Sequence, residues 1–425
     1  MSELKLTEVP DIIDIADLHN PVLTDLQKQV MQQAAENPVP LDVESILNIA
    51  SQNTGLSDFG DLGFKKNMQV WIDSANADTE LNALGRASVF GLMLTNAEKR
   101  LRIEDMINRF PEILDIEIRE PIIIAGLPRS GTTYLQNFLG GDPRLRSLPY
   151  WEAMRPVPTD EEFAQRGEAD PRREKCAQEW VQQDAVLPYI KAIHEFSPDH
   201  ISEDIELQLP EFGSYYPDWL FNARAWDDYY FQLDHVPVYE YLKKCLKVLN
   251  FLTGEKRWLL KCPQHMEQLP VLKKVFPDAT IVINHRDPVA SIQSAATATC
   301  YGNRIRYPEV NVQQTMEYDI WRYAKLLTAC VRDRDSLDDS KTVDVYFHEL
   351  MENPMAIVAE IYRKADLRFD DTIKEVMEKS LARHPRGKNG RMIYDLERDF
   401  GMTAESIRAH FDFYFDRFSV KAEVK

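Results

Sequence analysis

Residues 121–139 read PIIIAGLPRSGTTYLQNFL. Pro121–Ala125 is a short, isoleucine-rich apolar run, the composition of a strand buried on both faces. A glycine-bearing turn follows it. Thr132–Leu139 then reads as a helix, closed by Gly140 and Gly141. Three further runs have strand character: Trp258–Leu260, Thr280–Asn284 and Val343–Phe347. Helix-like segments lie between and after them, at Val238–Leu252, Glu267–Val275 and Met355–Ala365. Strands alternating with helices predict a parallel sheet covered on both faces. The expected class is α/β, a three-layer sandwich of the P-loop type, with a helical N-terminal region. Ligands of such sheets sit at the carboxyl ends of the strands.

Upstream, residues 1 to about 115 read as helical. Leu23–Gln33 has apolar residues at helical spacing, ended by Pro38 and Pro40, and Leu81–Ile107 carries Leu84, Val89, Leu92, Leu94 and Leu101 at three- and four-residue steps. The turn-rich stretch Thr54–Gly63 separates the two. A helical cap on the main domain is expected. The division is therefore 1–115 for the helical region and 116–425 for the α/β domain, with a helical insertion around 176–252.

The net charge of −19 over 425 residues makes a general nucleic-acid partner a poor fit, since phosphate neutralisation needs a basic surface. An anionic ligand must be held by a local basic pocket. No run approaches eighteen apolar residues, so no membrane span is expected. The start, MSELKLTEVPDIIDIADLHN, lacks the basic, then apolar pattern of a secretory signal. Five scattered cysteines suggest neither a disulfide framework nor a zinc site, and a cytoplasmic protein without a metal is expected. A homodimer is compatible with all this without being read from it.

Gly126-Leu127-Pro128-Arg129-Ser130-Gly131-Thr132-Thr133 has the G-x-x-x-x-G frame of a nucleotide loop, whose backbone N–H groups and helix terminus cradle an anion. The lysine that normally follows the second glycine and reaches the β- and γ-phosphates is replaced by Thr132, and the cation has moved to Arg129. One anionic group beside an arginine fits better than a triphosphate with magnesium, which counts against a small-molecule kinase. A nucleotide-binding protein without catalysis is the other alternative. After Thr280–Asn284 come His285 and Arg286, then a helix with Ser291 and Ser294, a second anion cradle. Arg386-Gly387-Lys388-Asn389-Gly390-Arg391 forms a flexible basic loop.

The PRSGTT stretch resembles the 5′-phosphosulfate loop of sulfotransferases that use 3′-phosphoadenosine 5′-phosphosulfate (PAPS). Together with WEAMRP at 151–156, residues 121–139 resemble a bacterial branch and the tyrosylprotein sulfotransferases. The resemblance covers roughly Pro121 to Phe418. It implies PAPS as donor, with Arg129 on the 5′-phosphosulfate, Ser130, Gly131, Thr132 and Thr133 supplying donors, and Tyr134 near the adenine. The eight-residue spacing of Arg286 and Ser294 matches the family's 3′-phosphate pair. Arg386, Gly387 and Lys388 resemble its closing basic loop, although Met392-Ile393-Tyr394 replaces the usual tryptophan-bearing tail. Tyr346 falls in YFHELMENP, similar to another family stretch.

Sulfuryl transfer is an in-line displacement that needs a cation at the leaving oxygen and a base at the acceptor. Arg129 and Lys261 are the candidate cations, Lys261 because LLKCP resembles the family's lysine strand. The histidine that cytosolic members carry two residues later is Pro263 here. The tyrosylprotein branch implies Glu152, in E-x-x-R with Arg155, as the base, and His194 and His265 are alternatives. Aromatic residues crowd the region from Trp180 to Phe251, interleaved with Glu195, Asp199, Glu203, Asp204 and Glu206. They suit the core of the insertion, and some suit a pocket for a small apolar or aromatic acceptor.

Overall fold

The computed structural model describes residues 5–165, 170–382 and 387–424. Seven strands occur among them: β1 (Ile12–Ile13), β2 (Ile122–Gly126), β3 (Leu145–Arg146), β4 (Arg257–Lys261), β5 (Thr280–His285), β6 (Thr342–Tyr346) and β7 (Arg391–Met392). Five form one sheet in the order β3-β4-β2-β5-β6, and β1 pairs with β7 apart from it. Every pairing is parallel. The predicted α/β class is what the chain adopts. The short strands β1, β3 and β7 have no apolar run to announce them.

Alternation along the strands builds the three layers. Ile123, Ala125, Leu260, Ile281 and Ile283 face one side, where the helix Val236–Thr253 contributes Leu242, Leu246 and Leu249. Ile122, Ile124, Leu259, Val282 and Val345 face the other, against Leu135 and Phe138 of the helix Thr132–Leu139 and against Leu350 and Tyr362. Each such side chain, fully buried, contributes about 1.5–3 kcal/mol. The central strands are buried on both faces, which is why they read as unbroken apolar runs.

The register decides what stands at the working edge. Ile124 is level with Lys261, Gly126 with Asn284, and His285 with Tyr346. The carboxyl ends of β2, β4, β5 and β6 therefore deliver the glycine loop, Lys261, Arg286 and Tyr346 to one side of the sheet.

The N-terminal part holds four main helices, Asp25–Glu36, Val43–Thr54, Phe64–Ala77 and Ala83–Arg109. The periodicity had shown the first and last. Thr54 ends the second, which turns off at Gly55 in the left-handed region, φ 71°. The last three share a core with residues 205–230: the Trp71 ring lies 5.7 Å from both Phe212 and Trp226. Many of the crowded aromatics are thus core, as expected. Asn82 fastens the last helix to the α/β part. Its side chain accepts from the Gly85 N–H at 2.9 Å as an N-cap and donates to the Ile305 carbonyl at 3.0 Å. Its own N–H donates to the Arg306 carbonyl at 2.9 Å. Asn82→Ala removes the cap and one tie, so urea denaturation should show a loss of about 1–2 kcal/mol. An unchanged midpoint would mean that the helix is held by packing alone.

Candidate active site

The loop after β2 is shaped by two left-handed residues, Arg129 at φ 67° and Gly131 at φ 88°. Such alternation turns successive N–H groups inward to form an anion-binding concavity. Gly131 has the conformational freedom for it, whereas Arg129 adopts it under strain of order 1–3 kcal/mol. Gly126 is dictated by space: a Cβ there would lie 2.8 Å from Asn284 Cβ, Ser130 Oγ and Thr132 Cγ2. Ser130 and Thr132 are buried, and Thr133 is exposed. The Ser130 hydroxyl donates to the Leu127 carbonyl at 2.7 Å. Arg129 donates to the Ile193 carbonyl at 2.7 Å, which ties the loop to the segment bearing His194. Tyr134 is half-buried and packs 6.3 Å from Phe138.

Arg286 reaches the same loop by donating to the Arg129 carbonyl. Its guanidinium lies 3.7 Å over the Phe347 ring and forks onto Glu423 of the C-terminal tail at 2.8–3.1 Å. A carboxylate of the chain itself thus occupies the fork of this guanidinium. The Ser294 hydroxyl is hydrogen-bonded to Tyr394 at 2.8 Å, and Tyr346 stacks on His285 at 5.3 Å. Gly387 is left-handed at φ 73° and opens a loop whose Lys388 pairs with Glu195 at 2.9 Å. Arg386 lies outside the described residues.

A cavity of about 450 Å³ opens beside this loop. Pro128, Arg129, His194, Glu203, Pro263 and Ser294 contribute to its lining. Lys261, 2% exposed, donates to the Glu203 carboxylate at 2.5 Å. The His194 ring is open to the cavity but surrounded by protein beyond it. Burial, then the charges of Lys261 and Arg129, pull its pKa down to about 3, so the imidazole is neutral near pH 7. The cations of the loop and of β4, with two groups able to accept a proton, thus flank one space. A second cavity, among Asp61, Arg100 and Lys244, holds none of the predicted residues.

The sequence of residues 121–371, more than half of the chain, matches the model of the sulfotransferase family. The chain belongs to that family. Two solved structures agree. Sulfotransferase STF9 from Mycobacterium avium is 26% identical with a TM-score of 0.79, over 91% of this chain and 99% of that one. Sulfotransferase STF1 from Mycobacterium tuberculosis is 25% identical with a TM-score of 0.76, over 87% and 98%. A search of curated sequences returns no match. Family membership sets the kinase alternative aside.

In this sulfotransferase the three predicted proton acceptors lie in different surroundings. Glu152 is 4% exposed and accepts both of its hydrogen bonds from Arg146 on β3, at 2.9 and 3.0 Å. Arg146 in turn lies 4.3 Å over Trp258. Glu152 is not among the residues lining the cavity. Arg155, its expected partner, pairs with Glu179 at 2.5 Å. His265 is fully enclosed between the Tyr239 hydroxyl at 2.9 Å and Asp204 at 3.1 Å, and does not reach the cavity. Only His194 of the three faces it. Glu203 was not singled out as a base from sequence. Its partner Lys261 is 58 residues away, and the one hint was acidic residues among aromatics.

A buried ion pair is costly to halve. Glu152→Ala should therefore destabilise the protein by about 3–5 kcal/mol in chemical denaturation, by stranding Arg146. A fold of unaltered stability would show that Arg146 does not need the carboxylate.

Proposed function

We propose that this sulfotransferase takes PAPS as donor and moves its sulfuryl group onto a hydroxyl or amine of a small, largely apolar acceptor held in the 450 Å³ cavity. One observation supports the reading: Arg129, His194 and Glu203 line that cavity, and Lys261 stands directly behind Glu203, bonded to its carboxylate. The donor, when bound, supplies an activated sulfuryl group on a phosphate leaving group. The chain's residues fit it. The loop N–H groups and Arg129 suit the 5′-phosphosulfate, and Arg286 already holds an oxyanion in its fork. Arg286 and Ser294 are assigned to the 3′-phosphate, Tyr134 to the adenine, and Tyr346, Gly387 and Lys388 to the rim. No metal is invoked. Five buried, unpaired cysteines support a reducing, cytoplasmic setting.

The roles follow from charge. Lys261 and Arg129 stabilise negative charge growing on the leaving oxygen. Glu203 is the general base. It faces the cavity and its carboxylate touches Lys261, so proton removal and charge stabilisation occur side by side. His194, kept neutral, accepts a hydrogen bond from the acceptor and orients it.

Adenosine 3′,5′-bisphosphate at one hundred times its dissociation constant should stabilise the fold by about 2.7 kcal/mol, visible as a rise in melting temperature. AMP should do little. Stabilisation by AMP and the bisphosphate alike would remove the 3′-phosphate site from the reading.

Kinetics separate the remaining roles. Lys261→Ala should lower kcat far more than donor affinity. Glu203→Gln should cost about 10²–10⁴ in kcat with donor binding intact. If Glu203→Gln stays active and either His194→Ala or Glu152→Gln does not, the base is that other residue.

A further inference from the structure

The cavity has a charged group that the proposed chemistry does not use. One wall is the helix Pro288–Asn303, which begins just past the carboxyl end of β5 and exposes Ser294, Ala298 and Gly302 to the cavity. Ser294 to Gly302 spans about 12 Å at 1.5 Å per residue. Ser88, Gly91, Leu92 and Thr95 of the helix Ala83–Arg109 line the cavity as well. At the Gly302 end lies Arg306, whose guanidinium packs so close that a Cβ on Gly302 would be 3.2 Å from Nη1. The charges acting on His194 are those of Lys261, Arg129 and Glu195, not that of Arg306. Arg306 therefore stands apart from the transfer chemistry.

Its electrostatic situation is unusual in this molecule. Arg100, Arg146 and Arg322, more deeply buried, pair with Glu211, Glu152 and Glu267. Among the described residues, no carboxylate lies within ion-pair distance of Arg306. Its side chain makes one hydrogen bond, Nη1 to the Trp219 carbonyl at 2.8 Å. A guanidinium carries five N–H donors, and Nε and Nη2 make no hydrogen bond to the described residues, while the side chain lines the cavity. Burial pulls its pKa below the ordinary value, opposed by the phenols of Tyr307 and Tyr216 alone. Glu206 also faces the cavity, but Lys99 stands behind it, donating to its carbonyl at 2.7 Å. The cavity thus holds a half-buried guanidinium with no carboxylate within ion-pair distance among the described residues, set beside apolar side chains that include Trp219 and Leu220. Such a charge is costly until something pairs with it.

We propose that Arg306 reads a carboxylate on the acceptor, and that the acceptor is an apolar hydroxy acid with its hydroxyl and carboxylate roughly 12 Å apart. This rests on the reading of the other end as the transfer site. The carboxylate takes a two-bond fork on the guanidinium. The hydroxyl then lies at the transfer end of the cavity, toward Glu203 and Lys261. An alcohol of the same length leaves the guanidinium unpaired, so the site discriminates between the two.

The test uses the full chain with 10-hydroxydecanoate and decan-1-ol as paired probes, read by calorimetry without donor and by kcat/KM with it. The acid should be preferred by about tenfold or more. R306M should erase the preference, and R306K, which keeps a charge but loses the fork, should reduce it. Equal binding of acids and alcohols from eight to fourteen carbons would overturn the inference, as would a preference that survives in R306M. If R306M fails to fold, an undiminished preference in R306K counts against it. A failure of adenosine 3′,5′-bisphosphate to stabilise the protein, with the acid still preferred, would sink the donor reading and leave Arg306 in place.

Discussion

Everything at the working edge hangs on the close approach of β2 to β5 at Gly126. The paired residue there is Asn284, and its Cβ, the Ser130 hydroxyl and the Thr132 methyl already occupy the space a side chain would take. That contact lets the chain turn sharply enough for Arg129 and Gly131 to adopt left-handed backbone. The turn brings the Arg129 carbonyl within reach of Arg286, which arrives from the end of β5. Loop and guanidinium are therefore one construction, joined through backbone. A larger residue at 126 would move both.

The sulfotransferase builds this edge against its own charge. At −19 overall, it places Lys261 and Arg129 by a cavity and gives each an internal oxygen: Glu203 for the lysine, a main-chain carbonyl for the arginine. Arg286 is answered by Glu423. Lys261, the buried one of these, is worth more to a bound anion than a surface cation, because little water screens it. Arg306, like Arg129, has only a neutral carbonyl as its acceptor, and it stands by the Gly302 end of the cavity wall. The pattern separates charges that the fold pairs with a carboxylate from two guanidinium groups of the cavity that it does not.

Local sequence carried the parts whose physics is local. The isoleucine run before the glycine loop, Lys261 at a strand end and Arg286 after β5 were readable because burial on both faces and loop chemistry leave marks within a few residues. The register that gathers them was not readable, and neither were β1, β3 and β7, two residues each. Glu152 shows the limit most clearly. Its E-x-x-R spacing pointed to Arg155, yet the arginine it holds comes from β3, six residues back, with Trp258 beneath it. Glu203 meets its lysine from 58 residues away, a pairing no window of sequence displays. The N-terminal helices, expected only to cap the domain, also lend a wall to the cavity through Ala83–Arg109. Nothing in that helix's periodicity distinguishes a face against protein from a face against a void.

The parallel sheet has a consequence for how the molecule comes into being. Strand β2 ends at residue 126, its neighbours start at 257 and 280, and β6 follows at 342, so no central pairing can close without a long loop. Contacts of such separation are slow to form, since chain entropy is lost before burial repays it. The cavity inherits the delay, because its lining runs from Ser88 to Tyr323 and Asn82 must already hold the carbonyls of Ile305 and Arg306. A chain still emerging from the ribosome cannot possess a site, and even its N-terminal helices await residues 205–230 to complete their core. Ligand binding by this protein is thus a late event in its biogenesis, and a report on the whole fold.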